Sequence, residues 1–519
     1  MKIGERASKS TSGLHGTSRR ELLTLGTAAG MAGMAAILES PRGAFAAPND
    51  EPSTMQMANV RNFGAAGDGK TDDTAAFQRA IDAAQRTISR TAYAPAGAYL
   101  FKGELVVPDG VTLRGTYAYV PSHPDIRDPR KVPPGTAPDE TVNHMVGLTP
   151  GQREIAKWIR PGEDGTAFLV TGGKGNEQGM PFITLHSNSS LCGVTIAYPD
   201  QVTIGEPYPY PWAVAMRGWN SAVFDTELLN PYQGIDATSA PRHNIRNLTG
   251  QPLRRGILVD AIFDIGRIEN VHFNATWSWG FPESTWQLEN GECFIFGHSD
   301  WEYVFNTFCL GYKAGYKFIQ TSTGMCNGNF LGIGADACNQ SVVVEQCAAY
   351  GLLITNGEFV ADKSDDPTQV VVHASNTGVV QFSNSAFWGR CNQVAKIEGR
   401  GLVAFNDCTF DDWAHTGGRA AIQAASGNLV VRGCNFHQNL PHISLAENVD
   451  TAVIAANIFT GPVQIQNHTA KDVQIGLNAS LDAWPMRPPR MRPPGQQAPG
   501  SAPAPGPGPA PAPGSTPWR

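Results

Sequence analysis

The stretch from residue 198 to residue 302 concentrates the side chains that could do chemistry. Carboxylates crowd it: Asp260, Asp264, Glu269, Glu283, Glu289, Glu292, Asp300 and Glu302, with Asp336 further on. Two carboxyl groups flanking an acetal oxygen suffice to break a glycosidic bond: one gives its proton to the departing oxygen, and the other, ionised, acts as base or nucleophile. Crowding assists this division, because neighbouring negative charge raises the pKa of one member. Asp264, in IFDIGRIENVHF, and Asp300 and Glu302, in FGHSDWEY, are best placed, each beside an aromatic residue or a histidine on a strand-like segment. With Asp336 they form the catalytic candidates. His298 is suited to orient a carboxylate or to touch substrate.

Aromatic residues gather in the same stretch. Six of the 11 tryptophans lie there, Trp212, Trp219, Trp277, Trp279, Trp286 and Trp301, along with Tyr198, Tyr208, Tyr210 and Tyr232. Flat aromatic faces stack on the apolar faces of sugar rings, and their clustering marks a binding surface. Trp212, Trp277, Trp279, Trp301, His298 and Arg267 are the expected substrate contacts.

A second chemistry competes. Elimination on a uronic-acid polymer uses a basic residue, which Arg254, Arg255, Arg267 or Lys313 would supply, and acidic ligands for a calcium ion. No spacing singles these residues out. Charge helps to choose. The chain carries 39 Lys/Arg and 46 Asp/Glu, a net charge of -7, but its two ends, residues 1–47 and 485–519, are net positive. Residues 48–484 hold 29 basic and 43 acidic residues, a net charge of -14. Such a body repels polyanionic glycans unless calcium or a basic groove intervenes, and it is not a basic nucleic-acid binder. A weakly charged polysaccharide and hydrolysis are therefore expected, with no cofactor and no metal; calcium belongs only to the elimination alternative. A third reading, a non-catalytic carbohydrate-binding solenoid, needs the aromatic surface alone. The nine cysteines contain no CxxC pair and no zinc-like spacing with histidine, so they read as core packing. HExxH and GxSxG are absent. Gly64-Ala65-Ala66-Gly67-Asp68-Gly69-Lys70-Thr71 satisfies the phosphate-loop pattern, yet Asp68, Asp72 and Asp73 around it would repel a polyphosphate.

The elements that must hold these residues show as a repeat. From Val379 the chain runs VVQFSNSAFWG, LVAFNDCTFDDW, LVVRGCNFHQN and AVIAANIFTG, whose phenylalanines Phe387, Phe410, Phe436 and Phe459 are spaced by 23, 26 and 23 residues. Asn270 to Phe273 and Asn356 to Phe359 echo the unit upstream. Aliphatic segments broken by Asn, Gly and Asp at that period predict short strands and tight turns stacked coil on coil. The expected fold is all-β: a single-stranded parallel β-helix. Its interior is packed, so function must lie on an outer face or in the loops between strands.

The amino-terminal side points the same way. Asn59-Val60-Arg61-Asn62-Phe63-Gly64-Ala65-Ala66-Gly67-Asp68-Gly69 leads into a helical pattern, AAFQRAIDAA, for which Thr71 or Asp72 is the expected cap. Tyr93 to Leu100 and Leu113-Arg114-Gly115 follow. This succession resembles the opening of the pectate-lyase superfamily of right-handed β-helices, specifically over residues 59–116, with the repeats extending the likeness to about 480. The resemblance implies one elongated domain, a short helix capping its amino-terminal end, action on a polysaccharide, and a monomer or homotrimer. The signatures of polygalacturonases are missing: Arg267-Ile268-Glu269 and Gly297-His298-Ser299 stand where Arg-Ile-Lys and Gly-His-Gly would be expected, and no Asn-Thr-Asp occurs. That family's catalytic residues cannot be carried over.

The ends are read separately. In residues 1–47, Arg19-Arg20 precedes an apolar Gly/Ala-rich run and Ala44-Phe45-Ala46. This resembles a twin-arginine export signal, which implies a secreted or periplasmic protein, exported folded and left without a membrane anchor once the signal is removed. Residues 485–519 contain 13 Pro, 5 Gly and no acidic residue, and read as an extended, disordered tail. One solenoid domain, residues 48–484, remains between them.

Overall fold

The computed structural model describes residues 57–123, 162–202, 206–275, 277 and 282–483, the last of these from 285 onward with side chains. The expected signal segment and Pro/Gly tail lie outside the described residues, as does Trp279. The described chain winds as a right-handed parallel β-helix in which every strand pairs in parallel with a strand of a neighbouring coil. Val380, for example, aligns with Leu352 on one side and with Val403 on the other.

One turn explains the repeat seen in the sequence. Asp225, Asn247, Asn270 and Asn306 occupy the same place in four successive coils, all with φ between 47° and 54°. Asn and Asp tolerate this left-handed conformation better than other side chains do. Their amides also form a ladder: Asn247 donates to Asp225 at 2.8 Å, Asn270 to Asn247 at 2.8 Å and Asn306 to Asn270 at 3.2 Å. Asn356, Asn384 and Asp407 repeat the turn with φ between 48° and 57°, and the side chain three residues after each is buried. That is where the phenylalanines stand, with Phe359 on Phe387 at 5.1 Å, Phe387 on Phe410 at 5.4 Å, Phe410 on Phe436 at 4.7 Å and Phe436 on Phe459 at 4.6 Å. The turn fixes the phase of each coil, and the phenylalanine column fills the interior.

The amino-terminal helix spans Thr74–Ala84 and buries Ala76, Phe77, Ala80, Ile81 and Ala84. Phe77 meets Tyr99, Phe101 and Phe168 edge-on. The residue at the N-cap is Asp73, neither of the two expected: Thr71 and Asp72 lie in the preceding strand, Asp72 accepts the Thr74 N–H at 3.1 Å, and Asp73 faces the preceding loop. The Asp73 carboxylate takes the N–H groups of Ala66 and Gly67, at 2.6 and 3.0 Å, and Asp68 takes those of Lys70 and Thr71. The donors a phosphate loop would offer are thus filled by the loop's own acids. All nine cysteines are buried and none is in a disulfide, as core packing requires. No helix among the described residues is long and apolar enough to cross a membrane.

Candidate active site at a solenoid corner

Two sheets of the solenoid meet at a corner through which the chain passes once per coil. The strand Ile262–Asn274 leaves this corner and pairs with the strand Ser299–Leu310 of the next coil. Ile262 aligns with Ser299 and Ile265 with Trp301, so Phe263 and Asp264 together oppose Asp300 alone. This β-bulge turns two consecutive side chains toward the outside. It places the two best sequence candidates, Asp264 and Asp300, on neighbouring strands, whose backbones lie about 4.8 Å apart.

Each carboxylate has a basic partner. Asp264 Oδ2 accepts from Arg242 Nε at 2.6 Å, and Oδ1 from the Ile265 N–H at 2.9 Å. The Arg242 hydrogen bond first, and the Ile265 N–H after it, hold the Asp264 carboxyl below its usual range, with a smaller contribution from the charge of Arg267. Arg242 in turn lies 5.4 Å from the Trp219 ring centroid. Asp300 Oδ1 lies 3.1 Å from His298 Nε2, the orienting contact expected of that histidine. The His298 ring packs edge-on to Phe263 at 4.7 Å, and the backbone N–H of His298 donates to Asp260 Oδ1 at 2.8 Å. The same oxygen of Asp260 accepts from Thr321 at 2.8 Å and Thr323 at 3.1 Å, which pins the backbone behind the histidine. Phe263 is 62% exposed and Trp219 47%, so two aromatic surfaces stand free beside the carboxylates.

The other expected site residues separate. Arg267 is exposed on the outer face, aligned between Asn244 and Tyr303. Trp301 is half-buried beside Asp300. Glu302 is not on the outer face as expected: its carboxylate is fully buried inside the coil, 3.0 Å from His243 Nε2 and 2.9 Å from Ser299 Oγ. Strand alternation is the reason, since Glu302 shares the inward phase of Val304. Asp336 aligns with Leu310, at the opposite end of that strand from Asp300, and burial raises its pKa. Trp212 is half-buried and opens the strand Trp212–Met216, a strand's length from the corner. Trp277 is buried with Ala197, Leu229 and Leu253, so it packs a small core instead of meeting substrate. Trp279 is outside the described residues.

A second ionisable group escaped the sequence entirely. His123 is buried with both ring nitrogens engaged: Nδ1 lies 2.5 Å from Glu227 and Nε2 2.7 Å from Asp164. Tyr117 donates to Asp164 at 2.8 Å and Thr195 to Glu227 at 2.9 Å. Burial alone would lower the His123 pKa, but Glu227 and then Asp164 override it and push it up to about 9. With every polar atom of the ring committed, this is a clasp holding residues 117–123 against the outer sheet. Its members are 41 and 104 residues apart, beyond any local motif. Among the described residues no group of three or more His, Cys, Asp or Glu could hold a metal ion.

Comparison with known proteins places the opening of the chain. Residues 57–124 match the family described as rhamnogalacturonase A/epimerase, pectate lyase-like. Over 62 residues, 12% of this chain, the sequence is 47% identical to alginate lyase 7 and to mannuronan C5-epimerase AlgE3, both of Azotobacter vinelandii. The match spans only 7% and 3% of the lengths of those two proteins. Among solved structures, the A-module of the A. vinelandii mannuronan C-5 epimerase AlgE6 aligns over 82% of this chain and 100% of its own, at 15% identity and a TM-score of 0.36. The described chain is a right-handed parallel β-helix, and its sequence likeness to the rhamnogalacturonase A/epimerase, pectate lyase-like family rests on residues 57–124, the cap helix and first coils.

Proposed function

We propose that the chain is an enzyme that cleaves a polysaccharide by hydrolysis, at the corner formed by Asp264 and Asp300. The observation that carries this reading is the bulge that sets the two carboxylates on adjacent coils, flanked by the free faces of Phe263 and Trp219. Arg242 keeps Asp264 ionised, which suits the base or nucleophile. His298 Nε2 holds Asp300 Oδ1 at 3.1 Å, which orients Asp300 toward the departing glycosidic oxygen in the role of the acid. Sugar rings would stack on Phe263 and Trp219, with Arg267 beside them on the outer face.

A screen of neutral and acidic polysaccharides with mass analysis of the products tests the reading. Hydrolysis adds one water per cleavage, and elimination adds none and leaves an ultraviolet-absorbing double bond. Asp264→Asn and Asp300→Asn are each expected to lower kcat by at least a hundredfold. Full activity in both variants would sink the assignment. The runner-up is elimination on a uronic-acid polymer with calcium as cofactor. It is supported by the names of the amino-terminal relatives and by Arg242 and Arg267, cations on the outer face beside Asp264 that a uronate would meet. Loss of activity in a calcium chelator would select it. Export through the twin-arginine route, and a monomeric or trimeric state, are part of the same proposal.

A further inference from the structure

Directly beneath the corner the interior holds a charge-bearing pair. His243, Gly266 and Glu302 occupy one position in three successive coils, since Asn244 aligns with Arg267 and Gly266 with Glu302. His243 and Glu302 have no exposed side-chain surface, yet they are two coils, about 9.6 Å, apart along the backbone. They meet because the residue between them has no side chain. A Cβ on Gly266 would stand 2.2 Å from His243 Cε1 and 2.3 Å from Glu302 Oε2. The hydrogen bonds around the pair are complete. His243 Nδ1 donates to the Ala240 carbonyl at 3.0 Å, Ser299 donates to Glu302 Oε2, and one proton occupies the 3.0 Å contact between Nε2 and Oε1. Whichever side holds that proton, the pair is neutral as a unit.

The outer neighbours of these residues are the site. His243 follows Arg242, Gly266 lies two residues after Asp264, and Ser299 and Glu302 bracket Asp300 and Trp301. We propose that His243, Gly266 and Glu302 are positioning residues. They bolt the first and third coils together through the second, and so hold Arg242 and Asp300 in place about Asp264. The inference rests on the corner being the active site. A purely structural role does not account for the pair well, because a buried ionic pair replaced by apolar residues of similar volume usually leaves stability unchanged or raised. What such a replacement gives up is direction: the hydrogen bonds fix angles, and a displacement of about 1 Å at reacting groups costs about a hundredfold in rate.

The test is the double variant His243→Leu/Glu302→Met, assayed with wild type on the polymer cleaved fastest in the screen. Its melting midpoint is expected at or above that of wild type, with kcat lowered tenfold or more and KM within about twofold. Gly266→Ala, measured well below its own midpoint, is expected to show the same split between kcat and KM. A double variant that melts like wild type and keeps its kcat overturns the positioning role, even where Asp264→Asn and Asp300→Asn are inactive. Should those two variants instead retain activity, the corner is not the site and the inference falls with it. A double variant that does not fold also overturns the argument, because the pair is then needed for the fold itself.

Discussion

Arg242 touches both the base candidate and an aromatic face, so its removal separates two effects. The Asp264 carboxyl is held low chiefly by this guanidinium. Catalysis that needs Asp264 ionised is lost as the pH falls through its pKa. In Arg242→Gln that pKa rises toward the ordinary value, and the acid limb of the kcat/KM profile is expected to move to higher pH, while the alkaline limb stays. An unmoved acid limb would mean that Asp264 is not the group whose ionisation the profile reports. His123 allows a similar argument about stability. Its pKa is raised from 6.5 to about 9, so the clasp contributes fully below about pH 6.5 and is lost as the pH climbs to 9. The shift corresponds to something on the order of 3 kcal/mol. Denaturant melts are expected to show wild-type stability declining across that window, and His123→Gln following a flatter course.

At the scale of the element, the left-handed turn governs each coil. Asn247 both donates to Asp225 and accepts from Asn270. Asn247→Ala loses two hydrogen bonds and puts at φ 54° a residue that tolerates the left-handed region less well than Asn, for a combined cost of about 2–4 kcal/mol. Asn247→Gly loses only the bonds, and is expected to be the more stable variant by about 1–2 kcal/mol in chemical denaturation. This turn is also why the fold was legible. Asn270, Asn356 and the phenylalanine three residues after each turn write the coil into the sequence at a near-constant spacing. The site was legible only in part. Asp264 and Asp300 stand out by their aromatic and histidine neighbours, but the bulge that exposes Phe263 breaks the alternation that would have predicted it. Glu302 was readable in principle, since period-two counting from the apolar Val304 puts it inside. The clasp was not, because a solenoid brings residues together by coil number, and the lengths of the corner loops hide that number.

For the whole molecule the cysteines set a condition on how the protein is made. Nine thiols lie inside the solenoid, and burial pushes Cys347 and Cys391 up to about 12. A thiol reacts as its thiolate and only where reagent can reach it. The folded protein is therefore expected to resist a disulfide-exchange reagent for hours in buffer, and to react at all nine positions in denaturant. Unfolded in an oxidising compartment, nine exposed thiols would pair at random, since no disulfide belongs to the native fold. Folding before export, the route proposed from the Arg19-Arg20 segment, avoids that outcome. Refolding measures the same dependence directly. Chain diluted from denaturant with a reductant should regain its circular dichroism spectrum and melting midpoint, whereas chain diluted into a glutathione mixture poised to oxidise should remain unfolded or aggregate. Equal recovery in both would show that the solenoid closes over its thiols faster than they oxidise, and the need for a reducing compartment would disappear.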